Sequence, residues 1–237
     1  MKKKILSMAI IAASMLALNQ SLKGQSSMLI GVEGTPQMSW LYNQDDMDNS
    51  AYETVNTFNG SFGVSYQYNF NKMLGVGVNG LYSFQGQRYK LNGVERFRNL
   101  EYLKIPLMFV YTSDIDADVM FIGKIGPQLG LLMNARLTDK DNNNIISDHK
   151  NAYEDFDIGG VIYAGVGFKL SENFLLDASV RADCGFTDAE NKDYKLNVNN
   201  PSAPVTNGNG AAISNRSMTS NATAGITIGI RYLIKYQ

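Results

Sequence analysis

The sequence predicts an all-β protein, an eight-stranded antiparallel up-and-down β-barrel that spans a membrane. Apolar residues alternate with small polar residues in eight segments, which indicates strands with two unlike faces. The connections between these segments are alternately long and short, as in barrels with short periplasmic turns and long extracellular loops. Aromatic residues gather at both ends of the apolar faces, where bilayer interfaces select them.

The N-terminus predicts export. Three lysines precede an apolar run from Ile5 to Leu18, which is too short and wrongly flanked for a stable membrane helix. We therefore expect residues 1–24 to form a secretory signal peptide and residues 25–237 to form the barrel domain. After Gly24, no apolar stretch approaches the ~20 residues that a membrane helix needs.

Composition excludes two classes of protein. Loss of the signal peptide removes four lysines and leaves 17 basic against 22 acidic residues, so the mature chain is mildly acidic and we expect no nucleic-acid partner. Cys184 is the single cysteine and cannot form an internal disulfide, which excludes a small disulfide-stapled domain.

The predicted strands and connections follow the alternation of apolar and polar residues. We expect strands at 27–42, 58–70, 74–87, 101–111, 119–134, 157–170, 174–186 and 222–236. Long polar connections lie near 43–57, 87–99, 137–156 and 187–216, and short ones near 70–73, 112–118 and 171–173. Pro36, Pro106 and Pro127 fall inside strands, although a closed barrel has no edge to accommodate a missing donor. We expect bulges or strand ends at these prolines.

The composition of the polar face indicates which face lies inside. A soluble lipocalin-like barrel would bury its apolar face and expose a polar face dense in Lys and Glu. Here the polar face is mostly Gly, Ser, Asn, Thr and Gln, which suits the crowded lumen of an OmpA- or OmpX-type barrel. We expect a location in the outer membrane, with lipid against two aromatic girdles formed by Trp40, Tyr42, Phe58, Tyr82 and Phe84 at the long-loop end and by Tyr68, Phe70, Tyr111, Phe174, Tyr232 and Tyr236 at the other.

Three segments carry a family pattern: YLKIPLMFVY at 102–111, GKIGPQLGLLM at 123–133 and DIGGVIYAGVGFKL at 157–170. With them the chain resembles the PorT-type outer-membrane β-barrel family of Bacteroidetes over nearly its whole mature length. The resemblance implies a link to a type IX secretion machine and recognition of the last strand by the barrel assembly machinery. The chain departs from the family at Lys104, where an acid is common, and at Gln237, which follows Tyr236 at the terminus.

Charged residues on the polar face predict a salt-bridge network inside the barrel. Glu33 and Arg231 lie at similar heights on the first and last strands, and Lys169 and Asp177 flank one short turn, so we expect each pair to meet. Unpaired buried charges would cost several kcal/mol each. The predicted network contains Glu33, Lys104, Lys124, Lys169, Asp177, Arg181, Asp183 and Arg231. A narrow ion path lined by these groups is the alternative.

Two loop motifs give weaker signals. His149, the only histidine, is preceded by Ser147 and Asp148, but a catalytic triad forms in space and not along a tripeptide. We expect an exposed loop histidine and no catalytic residue.

The segment DKDNNNIISD gives the other weak signal. It places Asp139, Asp141 and Asn143 at alternate positions, as at the start of a calcium loop. Asn144 replaces the required glycine and Lys150 replaces the bidentate glutamate, so a flexible acidic loop is favoured, with these three residues as weak metal candidates.

These observations favour a non-enzymatic outer-membrane barrel with a side-chain-filled lumen and four long extracellular loops for surface interaction. The alternative is an accessory barrel of a type IX secretion system, which would bind a periplasmic or membrane partner through its short-turn face. A narrow pore and an enzyme are weaker alternatives. The partners implied are outer-membrane lipid, the barrel assembly machinery during insertion, and an extracellular or secretion-system protein; we expect no cofactor.

Overall fold

The computed structural model describes residues 26–192 and 217–235, which form one antiparallel sheet closed on itself. Each long strand pairs with the next long strand along the chain, and the last pairs with the first, with Ser27 opposite Lys235. The predicted eight-stranded up-and-down barrel is therefore confirmed. The strands are β1 (Ser27–Tyr42), β2 (Tyr52–Val55), β3 (Phe58–Asn69), β4 (Leu74–Leu91), β5 (Val94–Thr112), β6 (Val119–Asp139), β7 (Asn144–Ile146), β8 (Phe156–Lys169), β9 (Phe174–Gly185) and β10 (Ser220–Lys235).

The apolar face of the strands points outward, as predicted. In β10 the side chains of Ile226, Ile228 and Ile230 are 57%, 54% and 48% exposed, whereas the alternate residues Thr227 and Arg231 are buried. A closed barrel with an apolar exterior and a polar interior is the arrangement that a bilayer requires, because lipid provides no partner for polar groups. Within residues 26–192 and 217–235, no helix is long enough and apolar enough to cross a membrane. The predicted signal peptide lies outside the described residues.

The prediction of a long polar loop near residues 87–99 is wrong. The strands β4 and β5 stay paired as far as Leu91 and Val94, so this region is a continuous hairpin. Its two-residue turn consists of Asn92 and Gly93, whose φ angles of 49° and 79° are those of a type I′ turn. Because β6 also continues to Asp139, and because β2 pairs with β4 and β7 with β6, one side of the barrel extends beyond the rest at the long-loop end. We call this extension the projecting sheet.

The bulges and strand ends expected at the three prolines are also absent from the described strands. Pro36 stays paired with Gly60 of β3. Thr35 and Pro36 have no pairs in β10, but β1 keeps the same register with β10 before and after them. A proline lacks one N–H and so loses a bond to one neighbour only, while the other neighbour holds the strand in place. The register shift between long strands lies instead between Glu101 and Tyr102.

Candidate functional site

Charged side chains fill the lumen in two clusters. In the cluster nearer the short turns, Arg231 Nη2 lies 3.2 Å from Glu33 Oε2, and the same guanidinium contacts Asp177. Lys124 Nζ lies 3.7 Å from Asp177 Oδ2, and Asn79 Nδ2 donates a hydrogen bond of 2.8 Å to Glu33 Oε1. The structure thus brings Glu33 and Arg231 together across the strands that close the barrel.

The second cluster lies nearer the long loops and is organised around Asp183. This carboxylate contacts Lys104 Nζ, lies 2.9 Å from Arg181 Nη2 and accepts a hydrogen bond of 2.6 Å from Thr223 Oγ1. Arg181 Nη2 also donates to Gln128 Oε1 at 2.9 Å. Both cations and the carboxylate are almost completely buried, so their mutual pairing offsets the cost of removing them from water.

Tyr163 connects the two clusters, and the sequence did not single it out. Its ring centroid lies 5.3 Å from Lys124 Nζ and 5.6 Å from the Arg181 guanidinium carbon, and its hydroxyl donates to Glu33 Oε1 at 3.2 Å. A cation over a buried aromatic face gains electrostatic stabilisation. The alternation of β8 already placed Tyr163 on the inner face, which was the available signal.

Lys169 and Asp177 do not meet, although the sequence suggested this pair. Lys169 lies half-buried at the short-turn rim, opposite Leu175. Asp177 lies two pairs farther from the turn, opposite Gly167, where it contacts Lys124 and Arg231 instead. Asp157, which the sequence did not suggest, is buried at the other end of β8. Among the described residues, the buried charges of the barrel interior are then four cations, Lys104, Lys124, Arg181 and Arg231, and four carboxylates, Glu33, Asp157, Asp177 and Asp183.

The turn between β5 and β6 closes the lumen at the short-turn end. Ile115 from this turn is 4% exposed and packs in a buried apolar cluster with Leu29, Met120, Ile122, Leu175 and Leu233. The neighbouring Asp116 contacts Lys235 and lies 2.7 Å from Lys72 Nζ, which ties the turn to β10 and to the turn after β3. Hydrogen bonds from Lys235 and Lys72 lower the pKa of the Asp116 carboxyl to about 2.

A second apolar cluster closes the lumen at the long-loop end. Tyr102 of β5 and Tyr153 of the loop after β7 are both buried there, together with Leu41, Leu100, Leu132, Ala135 and Ala152. The interior is thus layered, with charged side chains in the middle and apolar side chains at both ends.

Above this layer, the connections at the long-loop end converge on Arg98, and we call them the cap (residues 43–57, 88–98, 136–155, 186–192 and 217–219). Arg98 is 1% exposed, and its Nη1 lies 3.6 Å from Asp46 Oδ2 and 3.5 Å from Glu190 Oε1. Its guanidinium carbon lies 4.8 Å from the ring centroid of Tyr89. Asp46 belongs to the first connection and Glu190 to the fourth, so one arginine of the projecting sheet holds two other connections.

Further contacts join the first and fourth connections of the cap. Asn43 begins a one-turn helix, Gln44–Met47, by accepting hydrogen bonds from the backbone N–H groups of Asp45 and Asp46. Its amide Nδ2 donates to Thr219 Oγ1 at 2.7 Å, and Asp45 Oδ2 accepts from the Ser217 backbone N–H at 2.7 Å. The same asparagine therefore caps the helix and binds the strand entry of β10.

The expectation of an exposed histidine is wrong. His149 is 2% exposed and packs edge to face on Tyr153, with ring centroids 5.7 Å apart. Burial lowers the pKa of the His149 imidazole to about 4, and the nearby Arg98 contributes to the lowering. The third connection folds back onto β6, where the backbone N–H of His149 donates a hydrogen bond of 2.9 Å to the Ala135 carbonyl. This fold buries the imidazole.

The three weak metal candidates form a turn. Asp139 Oδ1 accepts hydrogen bonds from the backbone N–H groups of Asp141 and Asn143 at 2.9 and 2.8 Å, and Asn142 has a φ of 63°. This arrangement is an Asx-type turn, which connects β6 to β7. Across residues 26–192 and 217–235, no group of three or more His, Cys, Asp or Glu side chains is placed to hold a metal ion.

The predicted girdle residues that the structure describes are exposed or half-exposed on the outward face. At the long-loop end, Tyr82 and Phe84 pack edge to face, and at the short-turn end Phe174 packs similarly on Tyr232. Phe156 and Phe186, more than 60% exposed at the long-loop end of β8 and beyond β9, extend this pattern. Tyr236 lies outside the described residues.

Comparison with known proteins assigns the family. Residues 19–191 match the family model described as outer membrane protein beta-barrel domain, and no curated protein matches the chain. One similar solved structure is Neisserial surface protein A, with 12% sequence identity, coverage of 86% of this chain and 96% of that chain, and a TM-score of 0.47. Another is OprG from Pseudomonas aeruginosa, with 12% identity, coverage of 91% of this chain and 98% of that chain, and a TM-score of 0.45. Ail of Yersinia pestis is also similar, with 16% identity, coverage of 90% of this chain and 100% of that chain, and a TM-score of 0.42. The chain belongs to the outer membrane protein β-barrel domain family and is an integral barrel of the outer membrane.

Proposed function

We propose that this protein is a sealed, non-enzymatic anchor that displays the cap outside the cell for interaction with an extracellular partner. The observation that carries the proposal is the convergence of the connections on Arg98, above a lumen that holds paired charges between two apolar clusters. A protein that conducts would need a continuous wet path, whereas this interior is filled by paired charges between two apolar layers. Burial of His149 against Tyr153 keeps the imidazole away from a substrate and supports a non-enzymatic role.

Conductance measurements test the sealed lumen. Purified barrel inserted into a planar bilayer is expected to give no stable current steps, because buried apolar layers around Ile115 and around Tyr102 lie at the two ends of the lumen. Stable steps from the unmodified protein would instead support the narrow-pore alternative.

The accessory barrel of a type IX secretion system is supported by the PorT-type sequence pattern and would use the opposite, periplasmic face. Site-specific photocrosslinkers in native membranes separate the two functions. Met47 and Asp141 are exposed on the cap, and Met73 and Glu172 are exposed on the short turns. We expect protein adducts from the cap positions. Adducts from the turn positions alone would favour the secretion role and contradict surface display.

A further inference from the structure

An apolar groove crosses the outward wall of β4, β5 and β6, with one residue of β3 at its edge. We call it the wall groove. Its volume is about 470 Å³, within the usual range for sites that hold a small ligand. Its lining includes the side chains of Tyr66, Val76, Val78, Leu107, Phe109 and Ile125.

The groove exists because the sheet is irregular at this point. Strands β5 and β6 pair at Pro106–Gln128 and at Phe109–Ile125 but not between these pairs, where Pro127 has no N–H to donate. The same two strands approach closely here, since a Cβ on Gly126 would lie 1.9 Å from the Leu107 carbonyl oxygen. The interrupted ladder beside Pro127 leaves a depression in an otherwise continuous wall.

The height of the groove places it in the hydrocarbon near the periplasmic side. Val76 pairs with Phe109, and two residues nearer the short turns Leu74 pairs with Tyr111, which belongs to the aromatic girdle at the short-turn end. At ~3.3 Å per residue, the groove therefore begins within about 7 Å of that girdle. A chain entering it from the nearest interface belongs to a lipid of the periplasm-facing leaflet.

The chemistry of the lining selects the occupant. Among the lining side chains only Tyr66 carries a polar atom, its hydroxyl. A charged or hydrogen-bonding ligand would lose its water there without gaining partners, whereas an alkyl chain needs none. The groove is also continuous with the outward apolar face that already meets lipid. We propose that the wall groove holds one acyl chain of a phospholipid from the periplasm-facing leaflet as a retained ligand.

Two matched substitutions test the assignment. Val78 lies half-buried in the groove, whereas Val180 on the opposite wall of the barrel is 62% exposed on an open surface. Val78→Trp fills the groove with an indole, and Val180→Trp adds the same group to the lipid-facing surface elsewhere. The full-length barrels are extracted from native membranes in mild detergent and weighed by native mass spectrometry.

The wild type and Val180→Trp are expected to retain a phospholipid mass that Val78→Trp loses. Re-addition of phosphatidylethanolamine to delipidated protein should restore the mass in the first two only. Equal retention by Val78→Trp, absence of lipid from the wild type, or a bound protein in place of lipid would each overturn the proposal. If Val78→Trp does not fold, Ile125→Trp at the exposed side of the groove replaces it with the same expected loss.

Discussion

At the scale of single residues, Arg98 organises the extracellular end of the molecule. Its guanidinium is buried between the carboxylates of Asp46 and Glu190 and the ring of Tyr89. A buried guanidinium is tolerated only where carboxylates and aromatic faces replace water around it. Because each of these groups comes from a different segment, a single side chain decides whether the cap is one folded unit or several independent loops.

Replacement of Arg98 by methionine is expected to open the cap. The substitution leaves two carboxylates buried beside an apolar side chain, at a cost of about 3–5 kcal/mol. Digestion of intact cells with proteinase K should then cleave the cap faster than in the wild type. Lys90→Met is the matched control, since Lys90 and Glu53 form a half-exposed pair at 3.7 Å worth at most about 1 kcal/mol. A cap as resistant in Arg98→Met as in the control would contradict this role.

Acidification is expected to loosen the cap through His149. The pKa of His149 is about 4 when the imidazole is buried against Tyr153, near Arg98 and Asp148, and about 6.5 when the loop opens. The closed cap therefore binds fewer protons between these values. Its stability is complete above pH 6.5 and falls as the pH drops towards 4, by at most about 3 kcal/mol.

Hydrogen exchange of cap amides, corrected for intrinsic rates, measures this loss at pH 7 and pH 5. Protection in the wild type should decrease over this interval, whereas His149→Phe should remove that decrease. An equal decrease in both proteins would assign the acid response to other groups of the cap.

At the scale of elements, the hairpin of β4 and β5 gives the protein its asymmetry. These strands have 18 and 19 residues, against 12 in β3 and in β9, so one side of the barrel continues into the projecting sheet. The extension depends on a turn whose two residues both have positive φ, a conformation that glycine and asparagine adopt most readily.

Gly93→Ala is expected to destabilise this hairpin by about 1–2 kcal/mol, the cost of a left-handed conformation for an L-residue. No atom lies within 4 Å of the added Cβ, so the effect comes from the backbone alone. Urea unfolding of the barrel in lipid vesicles measures it. Gly123→Ala is the control, because its Cβ would meet only the Phe121 ring at an ordinary 3.7 Å. Equal stability of the two variants would show that the turn geometry is not limiting.

At the scale of the whole molecule, the barrel is closed twice. The backbone closes when β10 pairs with β1, and the side chains close the lumen through charge pairs that join distant strands. Arg231 and Glu33 are 198 positions apart in the sequence, yet they lie across the final seam. The same contacts that fill the interior therefore also fasten the first strand to the last.

Arg231→Met is expected to destabilise the whole barrel by about 3–5 kcal/mol, because Glu33 and Asp177 lose the cation that they share. Urea unfolding in vesicles and heat-modified gel mobility report the loss. Adding Glu33→Met should recover part of it, since the pair of Lys124 with Asp177 remains. Lys235→Met, which removes a partly exposed cation from Asp116, should change stability by no more than about 1 kcal/mol. Equal effects of Arg231→Met and Lys235→Met would contradict the seam role.

The sequence by itself determined the eight strands, their two faces and the closed barrel, because alternation with period two is a local property that lipid and a crowded lumen both enforce. It also contained the Asn92–Gly93 turn, although a polar composition made that segment resemble a loop. Only the tertiary structure decided that Asp177 meets Arg231 and not Lys169, and that Arg98, Asp46, Glu190 and His149 gather in one buried cap. Such contacts depend on the stagger between strands and on the folding of the connections, and neither leaves a repeating pattern along the chain.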